Sequence, residues 1–184
     1  MEVFWRRGYE GAAVSDLTQA MGINAPSLYA AFGCKEALFH EAVQLYQESE
    51  GAISRQAMDA ATDARTMVDA MLRSNIRSYT DPQKPPGCMV VLAAMLGTPE
   101  NEEVCGFLTE MRNAAVADLK KRLDRHKARG SLPKQADTAA LARFYSTVLQ
   151  GLSVQARDGA SRKTLERIAD GAMAAWDAMV GGKG

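Results

Sequence analysis

At 184 residues and 19.9 kDa the chain has the size of one domain, or of a small domain joined to a larger one. Its 22 basic and 22 acidic side chains cancel, so no polybasic tail marks it for nucleic acid or a membrane, and 47% hydrophobic residues exclude a disordered protein. Thirty-one alanines against fifteen valines and isoleucines favour helix, because alanine loses no side-chain entropy there. The longest apolar run, Cys88 to Leu96, is too short to cross a bilayer. Three irregularly spaced cysteines form no disulfide or zinc framework, and Glu2-Val3-Phe4-Trp5 does not read as a signal peptide. An all-α protein of the reducing cytoplasm is expected, with no metal, cofactor or membrane contact.

Val3, Phe4 and Trp5 read as the last turns of a helix that stops before Gly8, and Gly8-Tyr9-Glu10-Gly11 as a turn. Val14, Leu17 and Met21 share one face of a short helix ended by Gly22. Asn24 caps the next short helix, which carries Pro26 in its first turn and points Leu28 and Phe32 inward until Gly33 stops it. Lys35 opens a longer helix with Leu38, Phe39, Ala42, Val43 and Tyr46. Beyond it the spacing predicts helices at 63–79, 87–96, 101–129, 137–157 and 162–180, with Asp137 and Ser161 as N-caps and prolines 82, 85, 86, 99 and 133 in the joints.

The segment from Val14 to Phe32 has the arithmetic of a helix-turn-helix: two short helices about a glycine turn, with Leu17, Met21, Ile23 and Leu28 as a small shared core. Such a second helix can lie in the major groove of DNA. The wording is more specific than the spacing. Gly8-Tyr9-Glu10-Gly11, Leu17-Thr18-Gln19-Ala20-Met21-Gly22-Ile23, Ser27-Leu28-Tyr29-Ala30-Ala31-Phe32 and Lys35-Glu36-Ala37-Leu38-Phe39 together resemble the N-terminal pattern of the tetracycline-repressor (TetR) family. The resemblance is close from Phe4 to Val43; farther on, Pro86-Gly87-Cys88-Met89-Val90 and Ala156-Arg157-Asp158-Gly159-Ala160-Ser161 look like phrases of one branch of that family.

The resemblance implies a three-helix DNA-binding unit over residues 1–46 and a helical ligand-binding and dimerisation domain over 47–184. It further implies a homodimeric transcriptional regulator, most often a repressor, released from double-stranded operator DNA by a small apolar inducer. Carried over by position, Asn24, Ala25, Pro26, Ser27 and Tyr29 face DNA, and Lys35 meets a phosphate. Three features depart from the family pattern. Ala12 and Ala13 stand where a capping Ser or Thr is usual. Residues 1–46 carry Arg6, Arg7 and Lys35 against Glu2, Glu10, Asp16, Glu36 and Glu41, a net charge of −2. The first helix begins almost at Met1, so a truncated first helix and a missing basic N-terminal arm are expected. A fourth residue, Cys34, replaces a capping Ser, Asp or Asn; a thiol among free backbone N–H groups beside a lysine is a candidate redox site.

Within the implied C-terminal domain, Met67, Met71, Tyr79, Met89, Leu92, Phe107, Met111 and Phe144 are the candidate ligand residues, methionine being flexible and polarizable. Leu149, Leu152, Ile168, Ala172 and Trp176 are the candidate dimer contacts, in a four-helix bundle about a two-fold axis. Both sets are also what an ordinary protomer core would contain. Lys120, Lys121, Arg122, Arg125, Lys127 and Arg129 read as a solvated helix face.

No enzyme is expected. There is no Gly-rich phosphate loop and no Gly-x-Ser-x-Gly turn. His40-Glu41-Ala42-Val43-Gln44 lacks the second histidine of a zinc helix, and Ser131-Leu132-Pro133-Lys134 lies at a proline joint. The alternative to a regulator is a helical dimer that binds small molecules or proteins and keeps a vestigial helix-turn-helix.

Overall fold

The computed structural model describes residues 1–95 and 97–181. Its elements are α1 (Glu2–Gly11), α2 (Val14–Met21), α3 (Ala25–Phe32), α4 (Lys35–Asp59), α5 (Ala64–Tyr79), α6 (Met89–Leu92), α7 (Glu102–Ala128), α8 (Thr138–Arg157), α9 (Arg162–Ala174) and α10 (Trp176–Val180), with a 3-10 turn at Pro99–Asn101. Helix starts are set by side-chain caps. Asn24 Oδ1 accepts from Ser27 N–H at 2.8 Å, Asp63 Oδ1 from Thr66 N–H at 2.9 Å, Asp137 Oδ1 from the Ala139 and Ala140 N–H groups at 3.0 Å, and Ser161 Oγ from Thr164 N–H at 3.2 Å. No described helix is long and apolar enough to cross a membrane.

Two apolar cores organise the chain. The first joins Phe4, Trp5, Tyr9, Leu17 and Leu28 to Leu38, Phe39, Val43 and Tyr46 of α4, and takes in Met89, Val90, Ala93 and Ala94 from α6 and the turn after it. Its aromatic rings meet mostly edge to face: Phe4 on Phe39 at 5.0 Å, Tyr9 on Phe39 at 5.1 Å and Trp5 on Tyr46 at 4.8 Å. The second core is built around α5, which packs against α4, α8 and α9, while α7 runs along α8.

Several elements differ from their sequence expectations. Helix α1 does not end before Gly8; it kinks there, at φ 73°, and resumes to Gly11. Helix α4 runs on to Asp59, crossing residue 46 without a break. The helix expected over 87–96 is a single turn, Met89–Leu92, and Leu96 lies outside the described residues. The next rung would use the Val90 carbonyl, which accepts Arg112 Nη1 at 3.0 Å, and just beyond the turn the Ala93 carbonyl accepts Tyr9 N–H at 2.8 Å. The helix expected over 162–180 is broken at Ala175, because Tyr145 OH donates to the Ala172 carbonyl at 3.1 Å, the acceptor that Trp176 N–H would use. Met21 and Ile23 are exposed and take no part in the small shared core, since Phe4, Tyr9 and Phe39 already fill the space beneath Leu17 and Leu28.

The dimer assignments also change. Leu152, 1% exposed, and Ala172 and Trp176 are buried in the protomer's own second core. Leu149 lines an internal cavity, and Ile168 alone of the five is exposed, at 41%. Helical spacing identifies an apolar face without saying whether the same chain or a second copy covers it. Leu152→Ala should therefore lower protomer stability by about 2–5 kcal/mol, read by urea denaturation. A cost below about 1 kcal/mol would place Leu152 outside the core.

Candidate nucleic-acid interface and internal cavity

Helices α2 and α3 meet through a turn that only a residue tolerant of positive φ makes cheaply. Gly22, at φ 66°, donates its N–H to Gln19 O, and Ile23 N–H reaches back to Thr18 O at 3.1 Å. On α3 and its cap, Asn24, Pro26, Ser27 and Tyr29 are exposed and Ala25 is half-buried, so these side chains share the outer side of the second helix. Lys35 opens α4 beside them. Its ammonium lies 4.5 Å from the centre of the Tyr9 ring, and partial burial lowers its pKa.

The missing cap of α2 is supplied from within the helix. Ala13 has no side-chain acceptor, but the Asp16 carboxylate accepts Ala13 N–H at 3.2 Å and pairs with Arg7. Two acidic groups of the first helix are likewise engaged away from α3, whereas Glu36, beside Lys35, lies 4.0 Å from His40 Nε2. Glu2 pairs with Arg6, and Glu10 accepts Thr98 N–H at 3.1 Å and Asn101 Nδ2 at 2.9 Å. Those two hydrogen bonds, Asn101 first, hold the Glu10 carboxyl below its ordinary pKa. Residues 24–33 carry no charged side chain, leaving hydroxyls, an amide and a helix N-terminus as the polar features of this face. Cys34 is exposed, and its sulfur accepts Ala37 N–H at 3.4 Å as the N-cap of α4.

A cavity of about 430 Å3 lies among α4, α5, α6, α7 and α8. Met58, Met71, Leu119, Leu149 and Val91 form its apolar walls. Its polar side holds Glu50, which takes Lys84 Nζ at 2.8 Å and Ser78 Oγ at 2.9 Å, and Asn75, which donates to Ser54 Oγ at 2.8 Å. At one end Tyr46 and Tyr79, both buried, face the Cys88 thiol. Burial first, and the neighbouring sulfur second, raise both phenols well above their ordinary pKa, so they remain neutral O–H donors.

Of the eight expected ligand residues, Met71, Tyr79 and Met111 line this cavity. The other five lie elsewhere for packing reasons. Met67 and Met89 fill the two cores, and Leu92 lies over Gly87. Phe107 packs on His40 at 4.2 Å, and Phe144 is exposed, with its ring edge to face with Tyr145. Glu50 and Ser54 of the polar lining lie on the stretch of α4 beyond Tyr46, past the helix positions that the sequence pattern identifies. Positions 46, 47, 50, 51, 54 and 58 form one helical face once α4 is continued.

Helix α6 separates the cavity from the first core. Val90 and Val91 line the cavity, while Met89, Val90, Ala93 and Ala94 belong to the core between α6 and helices α1 and α4. Trp5 Nε1 donates to Gly87 O at 3.0 Å, and Arg157 Nη2 reaches Arg6 O at 3.0 Å from α8.

Residues 1–42 match the family model described as bacterial regulatory proteins, tetR family. The chain is similar to the HTH-type transcriptional repressor ComR of Escherichia coli (strain K12), with 28% identity over 183 residues, covering 98% of this chain and 86% of that one. It is also similar to the HTH-type transcriptional repressor BdcR of the same organism, with 30% identity over 166 residues, 89% of this chain and 78% of that one. Among solved structures, a cysteine-substituted form of the TetR family transcriptional regulator CifR, in complex with 26-bp double-strand operator DNA, superposes with a TM-score of 0.93 and 46% identity, over 95% of this chain and 92% of that one.

The Glu10 clasp gives a signed pH dependence. A carboxyl whose pKa is lowered by folding adds stability above its unfolded value and loses it as pH falls through the folded one. The melting-temperature advantage of the parent over Glu10→Ala should be present at neutral pH and fade below the ordinary glutamate value of about 4.3. An advantage that persists at lower pH would mean that the carboxylate charge is not what the clasp uses.

Proposed function

The chain belongs to the TetR family of bacterial regulatory proteins, a family of DNA-binding transcriptional regulators, and on that premise we propose that it is a homodimeric repressor released from its operator by a small molecule. The protein acts in the cytoplasm, by binding rather than by catalysis. Residues 1–46 form the DNA-binding domain and 47–184 the ligand-binding and dimerisation domain, with α4 as the shared strut. ComR and BdcR are repressors by name and CifR is bound to operator DNA, which supports repression through an operator here.

The observation that carries this reading is the double duty of α6. The turn that walls the cavity also supplies the base on which α1 and the helix-turn-helix rest. A ligand that reshapes the wall therefore moves the seat of the DNA-binding helices. It acts as an inducer only if it binds the DNA-incompetent arrangement more tightly, since equal affinity shifts no population. Its body is apolar, to match Met58, Met71 and Leu149, with a hydrogen-bonding group for the tyrosine end.

On DNA, Tyr29, Ser27 and Asn24 reach base edges or phosphates, Ala25 and Pro26 offer apolar contact, and Lys35 holds a phosphate. With no charged group on α3, DNA shape contributes to selectivity. Dimerisation uses the outer sides of α8 and α9, where Phe144, Gly151, Ile168 and Gly171 are exposed. It sets the two α3 helices about 34 Å apart, one turn of B-DNA, so the operator is an inverted repeat.

A salt series of gel shifts with DNA from upstream of the protein's own gene tests the reading. Tyr29→Ala and Lys35→Ala should both weaken binding, and the Lys35 change should flatten the slope of log affinity against log salt by about one. Unchanged affinity in both variants would remove α3 from the interface. A dimer that binds small molecules but no DNA would instead be the vestigial helix-turn-helix module. Ile168→Glu should shift the dimer toward monomer in light scattering, whereas an intact dimer would move the interface off α9.

A further inference from the structure

We propose that Cys88 is a covalent sensing site, at which the thiol captures a small α,β-unsaturated aldehyde or ketone held in the cavity while the Tyr46 and Tyr79 hydroxyls receive its carbonyl oxygen. The proposal rests on the reading of the cavity as the inducer site and names the chemistry that the site selects. Three observations meet here, of which the first is the thiol itself. Cys88 is a free, half-buried thiol on the cavity wall. It stands at the N-cap position of α6, but its side chain makes no capping bond, unlike that of Cys34. Its backbone is fixed by Cys88 N–H to Ser153 Oγ at 2.8 Å, which holds the sulfur beside the two phenols.

The second and third observations are the phenols. Tyr79 is buried, and the Cys88 sulfur is the side-chain partner that its hydroxyl meets among the described residues. Tyr46 faces the same sulfur, and its oxygen is approached by the backbone N–H of Met89, leaving its own O–H to donate. Two neutral O–H donors beside a thiol, at the end of a cavity with apolar walls, match an electrophile that develops charge on oxygen when sulfur attacks carbon.

The step balances without a co-reactant. The thiol gives its proton to solvent, and sulfur forms a bond to the β-carbon. The alkene electron pair shifts to make an enolate, whose oxygen is hydrogen-bonded by the two phenols. Water then protonates the α-carbon. One S–C bond is gained, the C=C bond is lost, no group leaves and no electron is exchanged with a cofactor. The adduct adds bulk to the residue immediately before α6, on the wall that seats α1 and the helix-turn-helix.

The test uses the full chain and methyl vinyl ketone, with labelling at each cysteine followed by peptide mass spectrometry. Exposed Cys34 serves as an internal reference for intrinsic reactivity and for correct folding. Cys88 should be labelled faster than Cys34 despite its lower exposure. Tyr79→Phe should slow Cys88 at least about tenfold, as loss of a charge-stabilising donor does, while Cys34 labelling is unchanged. Faster labelling of Cys34 with Cys88 untouched, or a Cys88 rate indifferent to the Tyr79 change, overturns the proposal. Operator release separates it from the inducer reading. If Cys88 is modified as expected and operator DNA stays bound, the capture chemistry stands and the cavity is not an inducer site. If 2-butanone, which lacks the alkene, releases the DNA while Cys88 resists methyl vinyl ketone, the cavity is an inducer site and the covalent step is wrong.

Discussion

One backbone hydrogen bond sets much of this architecture: Tyr9 N–H to the carbonyl of Ala93, 2.8 Å long. To reach it, α1 must kink at Gly8, where a β-carbon would stand 2.9 Å from the same carbonyl oxygen and where φ is 73°. The bond's acceptor, Ala93, is the residue that follows the single turn of α6. It thus ties the first helix of the DNA-binding unit to the wall of the cavity, with Trp5 Nε1 on Gly87 O fastening the same seam 82 residues apart in sequence. Around this joint the burial of Phe4, Trp5, Tyr9 and Phe39 supplies cohesion, and the hydrogen bonds supply position.

The consequence is mechanical economy. Cavity and DNA face share no residues, yet only the short α6 and the strut α4 lie between them. Packed elements of this kind settle into discrete arrangements rather than deforming smoothly, so a modest change of cavity shape can be passed on as a shift of α1. Electrostatics plays a subordinate part. Asp16, Glu2 and Glu10 are engaged in the cap of α2, the Arg6 pair and the Glu10 clasp, while Glu36 and Glu41 lie on α4 and α3 itself carries no charge.

Residues 1–46 were the most legible part of the sequence, because their structure is set by local rules. Gly22 turns, Asn24 caps, Leu17 and Leu28 point inward, and the phrases around them carry a family signature. Helices with polar caps, such as α5, α8 and α9, were legible for the same reason. What escaped were features decided by partners distant in the chain. The Val90 carbonyl at the end of α6 is taken by Arg112, and the Ala172 carbonyl at the break by Tyr145. The covered faces of Leu152 and Trp176 are buried within the protomer, which no periodicity states. The cavity was legible only in outline, since methionine marks core and pocket alike. Met71 lines the cavity, and Met67, one helical turn away, does not.

The central claim is that the α1–α6 joint carries the position of the DNA-binding helices, and the Gly8→Ala variant tests it most directly. The added methyl meets a backbone carbonyl, which cannot swing aside as a side chain could. Operator affinity of the purified dimer would be measured by fluorescence anisotropy, with light scattering and circular dichroism confirming dimer and helix content. The account predicts an affinity loss of about tenfold or more, from about 1–3 kcal/mol of backbone strain added to the clash, in a protein that remains dimeric and helical. Unchanged affinity in an equally well-folded dimer would contradict it.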